Sequence, residues 1–588
     1  MSTSIRHLTR LTTALALAGL IAACGTSAPT ESTTAPTPEL EAAASKSGQA
    51  TKPGVAPAPT ALFAEQNANW QSCGLPFMPS AQCGTLQAPL DWYAPSAGRV
   101  NVAVLRVPAS EPARRRGILL VNPGGPGGPG ALMAAYIAMA APELAKVYDI
   151  VGFDPRGVGN STNLNCVLDV DFTKPYTTQD IARLIASDCR KQPLSAHVNT
   201  EQTVRDMDLI RAVLGETKTN YLGYSYGTWL GAWYAARFPE RTDRFVLDSS
   251  TDLHATSLQN TFELQPMARE RAVSEGFFPW LARSVQAESL PYTSDMPRNA
   301  SDLRARYEQF PHEVQAIVQS IIIRALYNPG FFPAAAMMFD AANALTSGDA
   351  ATVTADMVRA EAERLAMAGH VPDDVRGELL DGIRAARATR GSLEAFQLDA
   401  SSSTFYAVTC NDGRFTPSGS YWQQFGERAA RQWPFVGAMY AMQPCAYWPA
   451  TWSFPDVRNT SFPPVLIVQS EMDSATPYEG ARRARQYLPG SRMVTVDNEF
   501  AHAIYPYGDT CVDATVEAYL IDGRMPGADV ACAAQPLPLE TSVYEVGGRI
   551  GGHGKLQGLK EHGPAVRAAR ALVKNIIRST AQQGDPVR

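Results

Sequence analysis

The chain has 588 residues, of which 51 are Lys or Arg and 57 are Asp or Glu, giving a formal net charge of −6. That sign argues against a nucleic-acid partner, which recruits a basic surface. Apolar residues make up 45%, ample for large cores in a chain longer than one typical domain, and no run of about twenty consecutive apolar residues suggests a spanning helix.

The first 24 residues read as an export leader. Arg6, His7 and Arg10 form a positive start, and Leu11 to Ala23 an apolar stretch too short to cross a bilayer. It ends in Ile21-Ala22-Ala23-Cys24, which resembles a bacterial lipobox, where the cysteine is lipidated and becomes the mature N-terminus. Ordinary cleavage that discards Cys24 or leaves a stray thiol is the competing reading. Residues 25–60 are Ala, Pro, Thr, Ser and Glu with almost no large apolar side chain. Such a segment cannot offset its ordering entropy and is expected to be a flexible tether. The chain is therefore expected to be exported, either as an envelope lipoprotein held to the membrane through Cys24 or as a secreted protein.

Setting Cys24 aside leaves eight cysteines, an even number that in an exported chain suggests disulfides. Eight allow 105 connectivities, but these fall in sequence-local couples. Pairing within each is expected: Cys73–Cys83, Cys166–Cys189, Cys410–Cys445 and Cys511–Cys532. No C-x-x-C or H-x-x-x-H spacing supports a metal site.

Val102 to Val107 opens an extended run, and Gly117-Ile-Leu-Leu-Val121 has the look of a strand buried on both faces. It runs into Asn122-Pro-Gly-Gly-Pro-Gly-Gly-Pro-Gly130, whose five glycines in nine residues let backbone N–H groups approach a ligand. Asp149 to Asp154 is another strand, followed by Pro155-Arg156-Gly157, where Asp154 and Arg156 are expected to brace loops rather than touch substrate. Thr219 to Phe238 then contains Gly223-Tyr224-Ser225-Tyr226-Gly227 between a strand and a helix. This is the G-x-S-x-G nucleophile elbow of an α/β-hydrolase, with Ser225 on a turn too tight for side chains two residues to either side. Oxyanion donors are expected at the Tyr226 N–H and at the Gly124 or Gly125 N–H.

After the strand Arg244 to Asp248, helical patterns dominate to about Trp452: Glu263 to Glu275, Leu303 to Leu326, Ala334 to Leu345 and Val353 to Ala368. They read as a cap inserted over the carboxyl edge of the sheet. The sheet resumes at Val465 to Val468 and runs into Gln469-Ser-Glu471-Met-Asp473, where this fold places its acid. Asp473 is preferred over Glu471, which lies closer to the strand. Of eight histidines, His502 alone follows a strand, Met493 to Val496, after that acid. The order Ser225, Asp473, His502, each at a strand end, fits a Ser-His-Asp triad.

Together the Asn122–Gly130 loop, Asp154-Pro155-Arg156-Gly157, Gly223-Tyr-Ser225-Tyr-Gly-Thr228 and the Asp473-to-His502 block resemble the tripeptidyl aminopeptidase family of exported α/β-hydrolases, and also the related proline iminopeptidases. The resemblance covers about residues 68–535 and includes a cysteine pair after the histidine, matched by Cys511 and Cys532; Phe500-Ala501-His502-Ala503 departs from it, lacking the glycine more often found beside the histidine. It implies an α/β fold with a mostly parallel sheet and a large helical cap before the acid-bearing strand. The expected division is leader 1–24, tether 25–60, first core part 61–252, cap 253–455, second core part 456–535, and a tail, 536–588, that matches nothing recognised.

The resemblance implies a serine exopeptidase that releases short peptides, tripeptides by the family's usual action, from free N-termini without a cofactor. A carboxylesterase or lipase with the same triad is the alternative, because triad geometry does not encode the leaving group. An exopeptidase must hold a protonated amine, which calls for carboxylates facing the serine. Asp412, beside a disulfide, is the first candidate, followed by Glu471 and Asp252.

Overall fold

The computed structural model describes residues 61–171, 173–290, 295–348, 352–367, 396–459, 461–508, 510–546 and 563–581. The expected leader with Cys24, the tether, and His370, His553 and His562 lie outside the described residues. Among the described residues, no helix is long and apolar enough to cross a membrane.

The branched apolar runs form strands β1 (Gln71–Ser72), β2 (Gln82–Pro89), β3 (Arg99–Val107), β4 (Ile118–Asn122), β5 (Asp149–Phe153), β6 (Val167–Leu168), β7 (Thr219–Tyr224), β8 (Thr242–Asp248), β9 (Phe396–Gln397), β10 (Leu466–Ser470), β11 (Arg492–Asp497) and β12 (Val530–Ala533). Ten of them make one sheet in the order β1-β2-β3-β5-β4-β7-β8-β10-β11-β12, and β6 pairs with β9 apart from it. The first three strands are antiparallel and every pairing from β5 to β12 is parallel.

Period-two alternation decides what each face buries. Ile118 and Leu120 of β4 join one core with Val204, Met207, Trp229 and Trp233 of the helices Thr200–Val213 and Tyr226–Arg237. Leu119 and Val121 point the other way, into a core with Ala134, Ile137, Val512 and Val516. Both faces are thus covered, as a parallel sheet requires. From β4 the chain passes to β5 on one side, while β7 lies on the other. Between the carboxyl ends of β4 and β7 lies the switch point where open α/β sheets bind ligands.

Between β8 and β10 most of the described residues are helical, with their own core around Phe277, Phe278, Trp280, Met337 and Phe339. That core also takes in Met472, Ala475 and Phe500 beside the expected acid and histidine. The single helix expected over Leu303 to Leu326 is two, Ala300–Glu308 and His312–Tyr327. Pro311 stands at the break as the cap of the second helix, since proline lacks an N–H and turns its predecessor away from helical angles.

The disulfides are Cys73–Cys83, Cys166–Cys189, Cys410–Cys445 and Cys511–Cys532. Within the tail, Pro564–Ala581 is a helix. Its Ala569, Val573 and Ile577, one helical turn apart, are buried in the core that holds Ala134 and Ile137 of the helix Met133–Ala140.

Candidate active site

Ser225 is the residue between β7 and the helix Tyr226–Arg237, and it has φ 58° and ψ −125°. A positive φ in a serine costs about 1–3 kcal/mol and persists only where the surroundings over-determine it. Here the Ser225 N–H donates to the Asp248 carbonyl at 2.9 Å, and the Ser225 carbonyl accepts from Thr228 Oγ1 at 2.6 Å. A side chain at Gly223 would meet the Gly227 carbonyl at 2.6 Å, so glycine is required before the turn.

The loop after β4 faces this elbow. Gly124 and Gly125 have φ of 91° and 107°. The sequence leaves either amide as an oxyanion donor, but the Gly124 N–H donates to Asn122 Oδ1 at 2.9 Å. That bond already occupies the Gly124 N–H. Gly125 instead lines the cavity above Ser225 together with Tyr226, whose N–H opens the helix and carries its positive dipole end.

Asp473 and His502 project from the loops after β10 and β11. His502 Nδ1 lies 3.0 and 2.9 Å from the two Asp473 oxygens. Asp473 Oδ1 also accepts from the Ala475 and Thr476 N–H groups at 2.9 and 2.8 Å, and Oδ2 from Thr476 Oγ1 at 3.0 Å. These donors fix the plane of the carboxylate. His502 Nε2 is buried with no hydrogen-bond partner among the described residues, Ser225 Oγ included. In ligand-free serine hydrolases this contact is often long and tightens with substrate.

Several residues that the sequence did not mark hold these groups in place. Asp248, at the end of β8, accepts from the N–H groups of Ile504 (3.1 Å) and Tyr505 (2.6 Å), just past His502. Ser249 Oγ accepts from the Ala503 N–H at 2.7 Å. Because the Asp248 carbonyl also holds the Ser225 N–H, one strand end ties the serine and histidine loops together. Tyr327, at the end of a cap helix, accepts the His502 N–H at 2.9 Å and sets its ring edge-on to the imidazole at 5.4 Å. The only sequence signal for Asp248 is an acid at a strand end, and Tyr327 carries none.

Burial pushes the Asp248 carboxyl up to about 7, against the pull of the Tyr505 and Ile504 amides and of His502. The folded state therefore holds this proton more tightly than the unfolded chain, whose aspartates titrate near about 3.9. The resulting stabilisation is complete below about pH 4 and is lost as pH rises through about 7. Asp248→Asn removes this titration while leaving one oxygen for the two amides. The decline in Tm from pH 4 to pH 7 is expected to be smaller in the variant than in the wild type. Identical declines in thermal melts would show that Asp248 is not a source of it.

A family model described as TAP-like protein matches residues 433–532, and one described as alpha/beta hydrolase fold matches residues 117–331. Tripeptidyl aminopeptidase from Streptomyces lividans is 31% identical over 507 residues, 81% of this chain and 89% of that one. The chain belongs to the tripeptidyl aminopeptidase family of α/β-hydrolases. It is also similar to Serine protease Hip1 of Mycobacterium tuberculosis, at 27% identity over 77% of this chain and 87% of that one. Carboxylesterase B of the same organism is 29% identical, over 83% of this chain and 94% of that one.

Within this family member the acids expected to meet a substrate amine are committed elsewhere. Asp412 is fully buried and caps the helix Thr200–Val213, taking the Thr200 N–H at 2.8 Å and the Thr200 hydroxyl. Burial pushes it up to about 7. Asp252 is paired with Arg483 at 2.7 Å, and Glu471 accepts the Asn498 N–H at 2.9 Å. None of the three lines the cavity above Ser225, whose described walls include Phe262, Gln265, Arg269, Tyr327, Phe405 and Thr476 but no carboxylate. Asp412 therefore spends its carboxylate on Thr200, whose hydroxyl in turn meets that of Tyr226. Arg156 is fully buried, gripping Asp206 through Nε and Nη2 at 2.7 Å each, and Asp154 accepts the Ala131 and Asn160 N–H groups at 2.9 and 2.8 Å. Both are braces.

Proposed function

We propose that this protein is a serine exopeptidase that releases short peptides, tripeptides by the family's name, from free N-termini. What carries the reading is family membership along most of the chain, joined to a strained serine at a strand end and a buried Asp473–His502 pair. In the proposed reaction, Asp473 keeps the proton of His502 on Nδ1, so Nε2 presents a lone pair. Nε2 takes the proton from Ser225 Oγ as the oxygen attacks the scissile carbonyl. The Gly125 and Tyr226 N–H groups receive the oxyanion, each worth ~3–4 kcal/mol by comparison with other oxyanion donors. His502 then passes its proton to the departing amine. Water, deprotonated in the same way, cleaves the acyl-enzyme and restores Ser225.

The test is a panel of fluorogenic mono-, di- and tripeptidyl amides, each with a free or acetylated N-terminus, set against simple acyl esters. Acetylation is expected to lower kcat/KM on the preferred amide by at least about a hundredfold, the loss of one charged contact. A second reading, a carboxylesterase, is favoured by the absence of any carboxylate among the described cavity walls and by the likeness to Carboxylesterase B. Equal cleavage of free and blocked amides, with faster turnover of esters, would select it.

The same proposal places the enzyme outside the cytoplasm, tethered by a lipid on Cys24. Four disulfides support export, and the mass of the mature N-terminal peptide decides between lipid anchoring and secretion.

A further inference from the structure

The helix Pro564–Ala581 lies beyond residue 532, where the TAP-like match ends, yet its last turn reaches the catalytic loop. Thr580 is 3% exposed. Its Oγ1 donates toward the Pro123 carbonyl at 3.3 Å and the Ile577 carbonyl at 2.9 Å. A side-chain carbon at Gly128 would stand only 2.7 Å from Thr580 Cγ2, and one at Gly125 only 3.4 Å from the Thr580 carbonyl. The helix end is therefore pressed against the outer surface of the Asn122–Gly130 loop.

That loop needs external walls. Gly124, Gly125 and Gly127 all have φ between 91° and 107°, and glycine supplies no side chain to lock such angles in place. One wall is the elbow, since Gly124 lies against the Tyr224 carbonyl and Ser225. A second is the cap helix Ala400–Asn411, where Gly127 meets the Ser401 carbonyl. The third is Thr580.

The helix is itself anchored where it matters. Arg570 donates to the Ala140 carbonyl at 3.1 Å and pairs with Asp513 at 3.0 Å. Asp513 in turn holds the Tyr507 and Gly508 N–H groups of the histidine loop at 2.7 and 2.9 Å. Arg578 lies over the Phe331 ring at 3.8 Å, in the cap just past Tyr327. One helix thus touches the oxyanion loop, the histidine loop and the cap.

We propose that Thr580 is a positioning residue for the Gly125 amide, with the helix Pro564–Ala581 as the outer wall of the oxyanion loop. The proposal rests on the reading of Gly125 as an oxyanion donor. An amide displaced by about an ångström loses much of its value in the transition state and little in ground-state binding, so the effect falls on kcat.

The test compares wild type, Thr580→Ala, Thr580→Val and Gly125→Ala on a free tripeptidyl amide, with rates expressed per serine titrated by a fluorophosphonate. Thr580→Ala is expected to lower kcat about tenfold with KM within about twofold, and to weaken a matching peptide aldehyde, which forms a tetrahedral adduct, by the same factor as kcat. Thr580→Val keeps the Cγ2 wall against Gly128 but drops the long hydroxyl bond to the Pro123 carbonyl, and is expected to stay within about threefold of wild type, about what one weak neutral hydrogen bond contributes. If Thr580→Ala keeps wild-type kcat and aldehyde affinity per titrated serine, whatever its Tm, the helix is packing alone and the proposal fails. Full kcat in Gly125→Ala would remove the oxyanion reading itself, and the proposal with it.

Discussion

Ser225→Ala is expected to lower kcat on the preferred tripeptidyl amide by about a millionfold, and His502→Ala by a similar factor, as in other serine hydrolases that lose either group. The two share one proton transfer, so the double variant is expected to be no worse than either single one. Ser225→Ala is the cleaner of the two. The strained backbone at Ser225 is held by the Asp248 carbonyl and by Thr228, contacts that the substitution keeps. Its Tm should therefore barely move. His502→Ala also strips the buried Asp473 of one donor, although the Ala475 and Thr476 amides remain, and a modest loss of stability accompanies the loss of rate. Turnover within tenfold of wild type in either variant, measured on folded protein, would exclude the assignment.

The parts of the site visible in the sequence are those written into local chemistry. A G-x-S-x-G between a strand and a helix forces one backbone shape, and Ser225 has it. Asp473 and His502 lie in the loops that follow the parallel strands Leu466–Ser470 and Arg492–Asp497, so topology brings them to one edge of the sheet.

What the sequence withheld depends on contacts between distant segments. Gly124 and Gly125 are adjacent and chemically identical, and only the Asn122 side chain, bound to one amide, separates them. Asp412 was chosen for its disulfide, but the helix terminus at Thr200 competes for the same carboxylate and takes it, from 212 residues away in sequence. Asp248 and Tyr327 serve the histidine loop through its backbone amides, which any residue type would present. The tail helix has an amphipathic pattern that marks a buried face but not which surface it covers. The expected long helix over Leu303 to Leu326 failed for a local reason, the proline at 311, which the apolar period masked.

Asp473→Asn is expected to lower kcat by about ten-thousandfold while leaving the fold intact, as in serine proteases with the equivalent change. The geometry here dictates how. The Ala475 and Thr476 N–H groups both point at Oδ1, so an asparagine must place its carbonyl oxygen there. Its amino group then occupies the Oδ2 position, facing His502 Nδ1 at about the 2.9 Å of the present contact. Thr476 Oγ1 can rotate to accept from that amino group, so nothing expels it. Nδ1 then stands 2.9 Å from a donor and 3.0 Å from a carbonyl oxygen that already accepts from two amides, so the favoured tautomer is the one in which Nδ1 accepts and the ring proton sits on Nε2. That is the atom required to take the proton of Ser225. The variant thus holds the imidazole in place but in the wrong tautomer. Glu471 cannot take over, because it is buried and its carboxylate holds the Asn498 N–H at 2.9 Å. The check is kcat on protein whose melting profile matches wild type. A loss smaller than tenfold would mean that the tautomer of His502 is set by another group, and Asp473 would no longer be the acid of the triad.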